Sequence, residues 1–258
     1  MRSVPHFGTP AWPPTRSLSP RLTAALASVC ALLAGCQGMS RVQPVAQVRI
    51  IDTSPDAPAI DIRQTDSAGL YNVAFGTVSS YIPLPPGAYT QTAYTAGTRQ
   101  QLAAVQASFL DGGQYTLLTG NTAAALQMTI LRDQSTPAPA GKVALRVLTQ
   151  TTRRGAYDLY LLPAGSPLAS AVPLATLAGF GANTGYRNLP SGAYSILAFQ
   201  AGSRPALASP LFTGAQTVYP SGAVRTLILI DHAQQSGATS APVLQLITAN
   251  DFDPPSAS

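Results

Sequence analysis

Cysteine, histidine, lysine, glutamate and tryptophan are nearly missing from this chain. Its 258 residues include 2 cysteines, 2 histidines and 1 tryptophan, Lys142 is the sole lysine, and every acidic residue is an aspartate. Charged residues make up 10% of the chain, against the ~25% of an ordinary globular domain. Each scarcity excludes a class of chemistry. Cys30 and Cys36 both lie near the N-terminus, and His232 is the only histidine beyond His6. Thiol catalysis, a zinc centre and a Ser-His-Asp device therefore lack parts, and no serine sits in a Gly-x-Ser-x-Gly elbow. Trp12 lies within the leader, which removes the usual platform for stacking sugars. The arginines are scattered, with Arg153-Arg154 the only adjacent pair, so no basic stripe suggests nucleic acid. No Gly-rich loop joins a strand to a helix as phosphate binding requires. The expectation is a protein that is not an enzyme, with no cofactor and no nucleic-acid partner.

What is present at the N-terminus is an address. Arg16 and Arg21 precede an apolar run from Leu22 to Ala34, too short for the ~20 residues of a membrane span but suited to a signal peptide. The run ends in Leu33-Ala34-Gly35-Cys36, which has the form of a bacterial lipobox. Cleavage before Cys36 and acylation of its thiol would make the membrane a partner through the lipid and leave no cysteine for a disulfide. Gln37 follows instead of an aspartate, which favours the outer membrane of the cell envelope over inner-membrane retention. The leader carries Arg2, Arg16 and Arg21, so the formal charge of +5 is partly its property.

Beyond the anchor the chain repeats itself. Phe75-Gly76 through Tyr81, Leu84-Pro85, Gly87-Ala88 and Tyr89 returns without a gap as Phe180-Gly181, Tyr186, Leu189-Pro190, Gly192-Ala193 and Tyr194. Upstream, Arg49-Ile50-Ile51 to Asp61-Ile62 aligns with Arg146-Val147-Leu148 to Asp158-Leu159. Short runs of strand formers and alternating segments are punctuated by turn residues every ~8–12 positions, the spacing of a β-sandwich. The fold class is therefore all-β: two tandem immunoglobulin-like β-sandwich domains of about seven strands each, after a disordered signal and tether segment. The expected organisation is a signal peptide over 1–35, a tether over 36–47, and a first sandwich over 48–134. A stiff Pro/Ala linker over 135–142, a second sandwich over 143–253 and a tail over 254–258 complete it. The tyrosine after each Leu-Pro-x-Gly turn is expected to pack inward with its hydroxyl at the rim, as in a tyrosine corner.

The segment 48–62, with Ser54-Pro55-Asp56-Ala57-Pro58 and Asp61, followed by Phe75-Gly76, Tyr81, Leu84-Pro85 and Gly87, resembles the bacterial DUF4397 family, a domain of unknown function. The resemblance extends over two copies, with Thr151 to Ala156 replacing the Ser-Pro-Asp segment in the second. It implies a secreted or surface-attached β domain and brings no catalytic residues with it.

Few residues remain as site candidates. Asp52, Asp56 and Asp61 are the candidates for a metal site, since calcium seeks several oxygens, but their spacing is not that of a calcium loop. Asp61 recurs as Asp158, which favours a structural role. His232 beside Asp231 reads as a solvent-facing turn histidine. The tyrosines, half of them recurring by position, read first as packing residues. The functional reading is a lipid-anchored cell-envelope protein acting as a non-catalytic binding or structural module with a protein or polysaccharide partner. The alternatives are a carbohydrate- or cell-wall-polymer-binding surface protein and, third, a hydrolase with an unrecognised site.

Overall fold

Alternation along the strands fixes which side chains meet. In β1 (Ala46–Asp52) Val48 and Ile50 face one way while Arg49 and Ile51 face the other, and all four are buried. A strand buried on both faces needs a layer on each side. The computed structural model supplies them; it describes residues 43–65, 67–153, 155–203, 205–232 and 244–254.

The first half of the chain folds into β1, β2 (Ile60–Gln64), β3 (Ser67–Val73), β4 (Ile82–Leu84), β5 (Gly87–Thr95), β6 (Gln101–Phe109), β7 (Gln114–Gly120) and β8 (Gln127–Asp133). They form two four-stranded sheets, β4-β1-β7-β8 and β3-β2-β5-β6. The second half gives β9 (Lys142–Thr149), β10 (Tyr157–Pro163), β11 (Val172–Ala178), β12 (Arg187–Pro190), β13 (Gly192–Gln200), β14 (Phe212–Thr213), β15 (Thr217–Tyr219), β16 (Val224–Asp231) and β17 (Leu244–Phe252). Its sheets run β12-β9-β16-β17 and β11-β10-β13-β14, with β15 also on β13. The two halves thus share one topology, down to the parallel pairing of β1 with β7 and of β9 with β16. The all-β sandwich expectation holds, with eight and nine strands among the described residues where about seven were expected per sandwich. The extra ones are chiefly edge strands such as β4, β12 and β14, too short or too polar to stand out.

Each sandwich has its own core. Ile50, Ile60, Ile62, Ala93, Phe109, Tyr115 and Leu117 fill the first, and Leu145, Leu159, Leu161, Tyr157, Ile196 and Leu227 the second. A third cluster joins them: Ile51 and Leu118 pack against Leu148, Ile228, Ile230, Ile247 and Ala249. The inner sheets β4-β1-β7-β8 and β12-β9-β16-β17 therefore lie face to face, so the order of layers is sheet, core, sheet, seam, sheet, core, sheet. The described residues from Pro44 onward form one compact unit. The Pro/Ala segment is part of it, with Ala138 buried against Ala144 and Val224 and its N–H donating to Gly222 O at 3.0 Å. At the far end of the seam, a Cβ on Gly120 would meet Gln150 Oε1 at 2.3 Å, so a larger residue there would require the Gln150 side chain to move.

Candidate functional site

The aspartates proposed from spacing are held apart, each by its own hydrogen bonds. Asp61 accepts from Asn72 N and Gly97 N, both at 2.9 Å, and Asp158 accepts from Leu177 N at 2.9 Å and Gly202 N at 2.7 Å. All four donors have positive φ, so each aspartate pins a bulge and a turn that would otherwise be strained. These backbone bonds, Asn72 first, hold the Asp61 carboxyl below the usual carboxylate range. Asp56 accepts from Ala123 N at 2.9 Å, across loops rather than within its own turn. Asp52 is fully buried, its Oδ1 accepting from Ser54 N and Thr119 Oγ1 while Oδ2 has no partner. Burial outweighs those bonds and pushes its pKa up to about 6. Among the described residues, no three His, Cys, Asp or Glu side chains stand close enough to hold a metal ion.

The other candidates are placed as follows. His232 is exposed just beyond β16, and Asp231 accepts from the Thr152 and Arg153 amides. Tyr89 and Tyr194 each donate to a proline carbonyl four residues back, Pro85 O and Pro190 O, both at 2.9 Å. That is the hydrogen bond of a tyrosine corner, in both halves. Tyr115, Tyr157 and Tyr219 are core residues. Cys36 lies outside the described residues.

The arrangement that spacing did not reveal is a crossed ion-pair network in the seam. Arg49 leaves β1 and reaches Asp251 on β17 of the other half, and Arg146 leaves β9 and reaches Asp133 on β8 at 2.6 Å. Each guanidinium also donates to the carbonyl preceding its target, Asn250 O at 3.0 Å and Arg132 O at 3.1 Å. Each is held by a threonine on its own neighbouring strand, Thr116 at 2.8 Å and Thr226 at 3.0 Å. Those threonines donate in turn to Asp133 and Asp251 at 2.6 and 2.7 Å. Tyr81 lies 4.8 Å from Arg49 and donates to Asp133 at 2.8 Å, while Tyr186 lies 4.5 Å from Arg146 and donates to Asp251 at 3.0 Å. The set is nearly two-fold symmetric and neutral overall, and its charged side chains are sealed from water. Burial alone would lower the Arg49 pKa, but attraction to Asp251 and Asp133 prevails and raises it. Burial first, then Asp133, drives the Tyr81 hydroxyl above its ordinary range, so it stays a donor. The signal for this network was in the sequence: an arginine recurring mid-strand in two otherwise apolar runs.

With the seam closed, the outer sheets are what the molecule presents. The outer face of β3-β2-β5-β6 carries Thr65, Thr90, Gln106 and Ser108 around a shallow trough of about 420 Å³. Arg63 lies 4.7 Å over the ring of Tyr94 on the same face. These are uncharged donors and acceptors, with one cation stacked on one ring.

Residues 46–160 match the model of the DUF4397 family, a domain of unknown function. The match takes in the whole first sandwich and runs into the second through β9 and much of β10. No curated protein matches the chain. Among solved structures, it is similar to the family 26 carbohydrate-binding module CBMbc of Eubacterium rectale Amy13K, in complex with maltoheptaose. That likeness has a TM-score of 0.22 at 10% identity, over 82% of this chain and 98% of the other. It is also similar to a Bacteroides fragilis protein named as a candidate for cell adhesion (TM-score 0.21, 10% identity, 81% and 98% covered). Scores this low transfer neither ligand nor activity.

Proposed function

We propose that this chain is a non-catalytic binding module of the bacterial cell envelope, tethered by acylated Cys36. The observation that supports it is the closed seam. Four buried charges, Arg49, Arg146, Asp133 and Asp251, hold two sandwiches together as one body and face no solvent where a substrate could reach them. A body built this way offers outer sheets, not a cleft of reactive groups. The lipobox supplies the address, and the chain from Gln37 to the first strand supplies the reach.

The trough on the outer face of β5 and β6 favours a second, finer reading: an uncharged polysaccharide, such as a cell-wall polymer. Hydroxyls and amides match the donor and acceptor pattern of sugar hydroxyls, and Tyr94, with Arg63 stacked on it, carries a ring further along the same face. The anchor is tested by treating cells with the signal-peptidase inhibitor globomycin. Loss of the mature lipidated mass and a changed membrane fractionation are expected; an identical mass with and without inhibitor rejects the tether. The binding face is tested by co-sedimentation with insoluble cell-wall polysaccharide. Thr90→Arg and Tyr94→Ala are expected to abolish pelleting, and pelleting equal to wild type would remove the face from consideration.

A further inference from the structure

The two halves differ at one place in a way their shared topology exposes. The cross-strand pair Gln64–Gln91 on β2 and β5 stands where the second half has Leu161–Ile196 on β10 and β13. Gly69, at the bulge of β3, stands where β11 has Leu174. The alignment is fixed by the aspartate clamps, since Asn72 and Leu177 donate to Asp61 and Asp158 from the same positive-φ position. Leu161, Leu174 and Ile196 are all core residues of the second sandwich. Three substitutions on three strands therefore withdraw apolar volume from a single spot in the first.

That spot is a cleft of about 150 Å³ between the sheets, walled mainly by Val48, Ile50, Ile62, Leu70, Ile82 and Leu84, with Gln64 beside them. Gln91 lines it at 3% exposure, and its Nε2 has no hydrogen-bond partner. A buried amide donor without an acceptor is costly, and an isoleucine tolerated at the matching position of the same fold would avoid the cost. The glycine is equally constrained, because a Cβ on Gly69 would fall 2.1 Å from Ile62 O. The edge strands β3 and β4 both line the cleft, through Gly69 and Leu70 and through Ile82, Pro83 and Leu84. Pro83 in β4 and the bulge in β3 blunt both edges against an added peptide strand.

We infer that the cleft is a binding site for a small uncharged ligand. Its apolar body would be about the size of one aromatic ring, and it would carry one carbonyl or amide oxygen that accepts from Gln91 Nε2. A cleft of ~150 Å³ lined mainly by aliphatic side chains has room for a benzene-sized group, which sets the body. The unpaired amide sets the polar atom. The inference goes beyond the polymer-binding face, which lies on the opposite side of the same sheet, and neither depends on the other.

The test compares acetophenone with α-methylstyrene, which share a shape but differ in the oxygen. Each is titrated into the purified protein while the methyl resonances of Ile50, Ile62, Leu70 and Leu84 are followed. Saturable shifts are expected for acetophenone, with binding about tenfold tighter than for α-methylstyrene. Gln91→Ile, the residue of the other half, is expected to raise the melting temperature and abolish the preference. Gln91→Met does the same should the branched side chain disturb β5. No saturable shift at these methyls up to the solubility limit overturns the inference, as does an oxygen preference that survives in a folded Gln91 variant.

Discussion

Replacing Arg49 with methionine tests the seam most directly. The substitution keeps much of the apolar stem but leaves Asp251 buried without its guanidinium, at a site where the carboxylate is sealed from water. It also removes the donors to Thr116 Oγ1 and Asn250 O and the stacking on Tyr81. Breaking a buried pair by deleting one partner costs about 3–5 kcal/mol, a large part of the ~5–15 kcal/mol that holds a domain folded. Thr226 and Tyr186 still donate to Asp251, which places the expected loss near the lower figure. The near-symmetry of the network predicts a similar loss for Arg146→Met, whose partner is Asp133. Urea unfolding followed by circular dichroism measures both. Because the pair is coupled, the double variant Arg49→Met/Asp251→Leu should lose less than the sum of its single variants, by ~1–3 kcal/mol. A loss below ~1 kcal/mol for either arginine, or additivity within ~0.5 kcal/mol, would refute the reasoning.

Three further outcomes follow from the clamps and the buried groups. Asp52 binds its proton more tightly folded, at about 6, than unfolded near ~3.9. Its contribution is therefore full below the unfolded value and is lost as pH rises through about 6, a fall of order 3 kcal/mol. Asp52→Asn should flatten that fall, with a higher urea midpoint than wild type at pH 8 and little change at pH 4. Asp61 has the opposite sign: its lowered pKa gives stability that is present above ~3.9 and lost as pH falls through the folded value. Asp61→Ala and Asp158→Ala each orphan two backbone N–H groups at positive φ and should cost about 2–4 kcal/mol, read as shifts in melting temperature at neutral pH. Tyr89→Phe and Tyr194→Phe each delete one corner bond and should cost about 1 kcal/mol; two unchanged melting curves would show that the corners contribute nothing.

The inward faces of this fold were legible because they obey a rule that one strand can display. Ile60-Asp61-Ile62 and Tyr157-Asp158-Leu159-Tyr160 alternate, and the tyrosine after each Leu-Pro-x-Gly turn recurs, so cores and corners could be placed from sequence. The outward faces of the inner sheets obey a rule that involves a second sandwich. Leu227-Ile228-Leu229-Ile230 is apolar at every position and buried at every position, the pattern of a strand covered on both sides. Read alone, however, it equally suits a single well-packed strand. The recurrence of Arg49 as Arg146 was visible, but its meaning was not. An arginine in such a run needs a buried carboxylate, and the partners Asp133 and Asp251 lie on strands that sequence spacing does not connect to it. The exchange across the seam makes this a matter of two-body geometry. Each half carries an arginine, a threonine, a tyrosine and an aspartate, and each arginine makes its closest carboxylate contact with the other half, although Arg49 also lies 3.6 Å from Asp133 of its own half. The repeat is therefore not two units in series. In an isolated sandwich each arginine would lose its closest carboxylate and a carbonyl acceptor, and the apolar face around it would meet water, so the copies are complete only together.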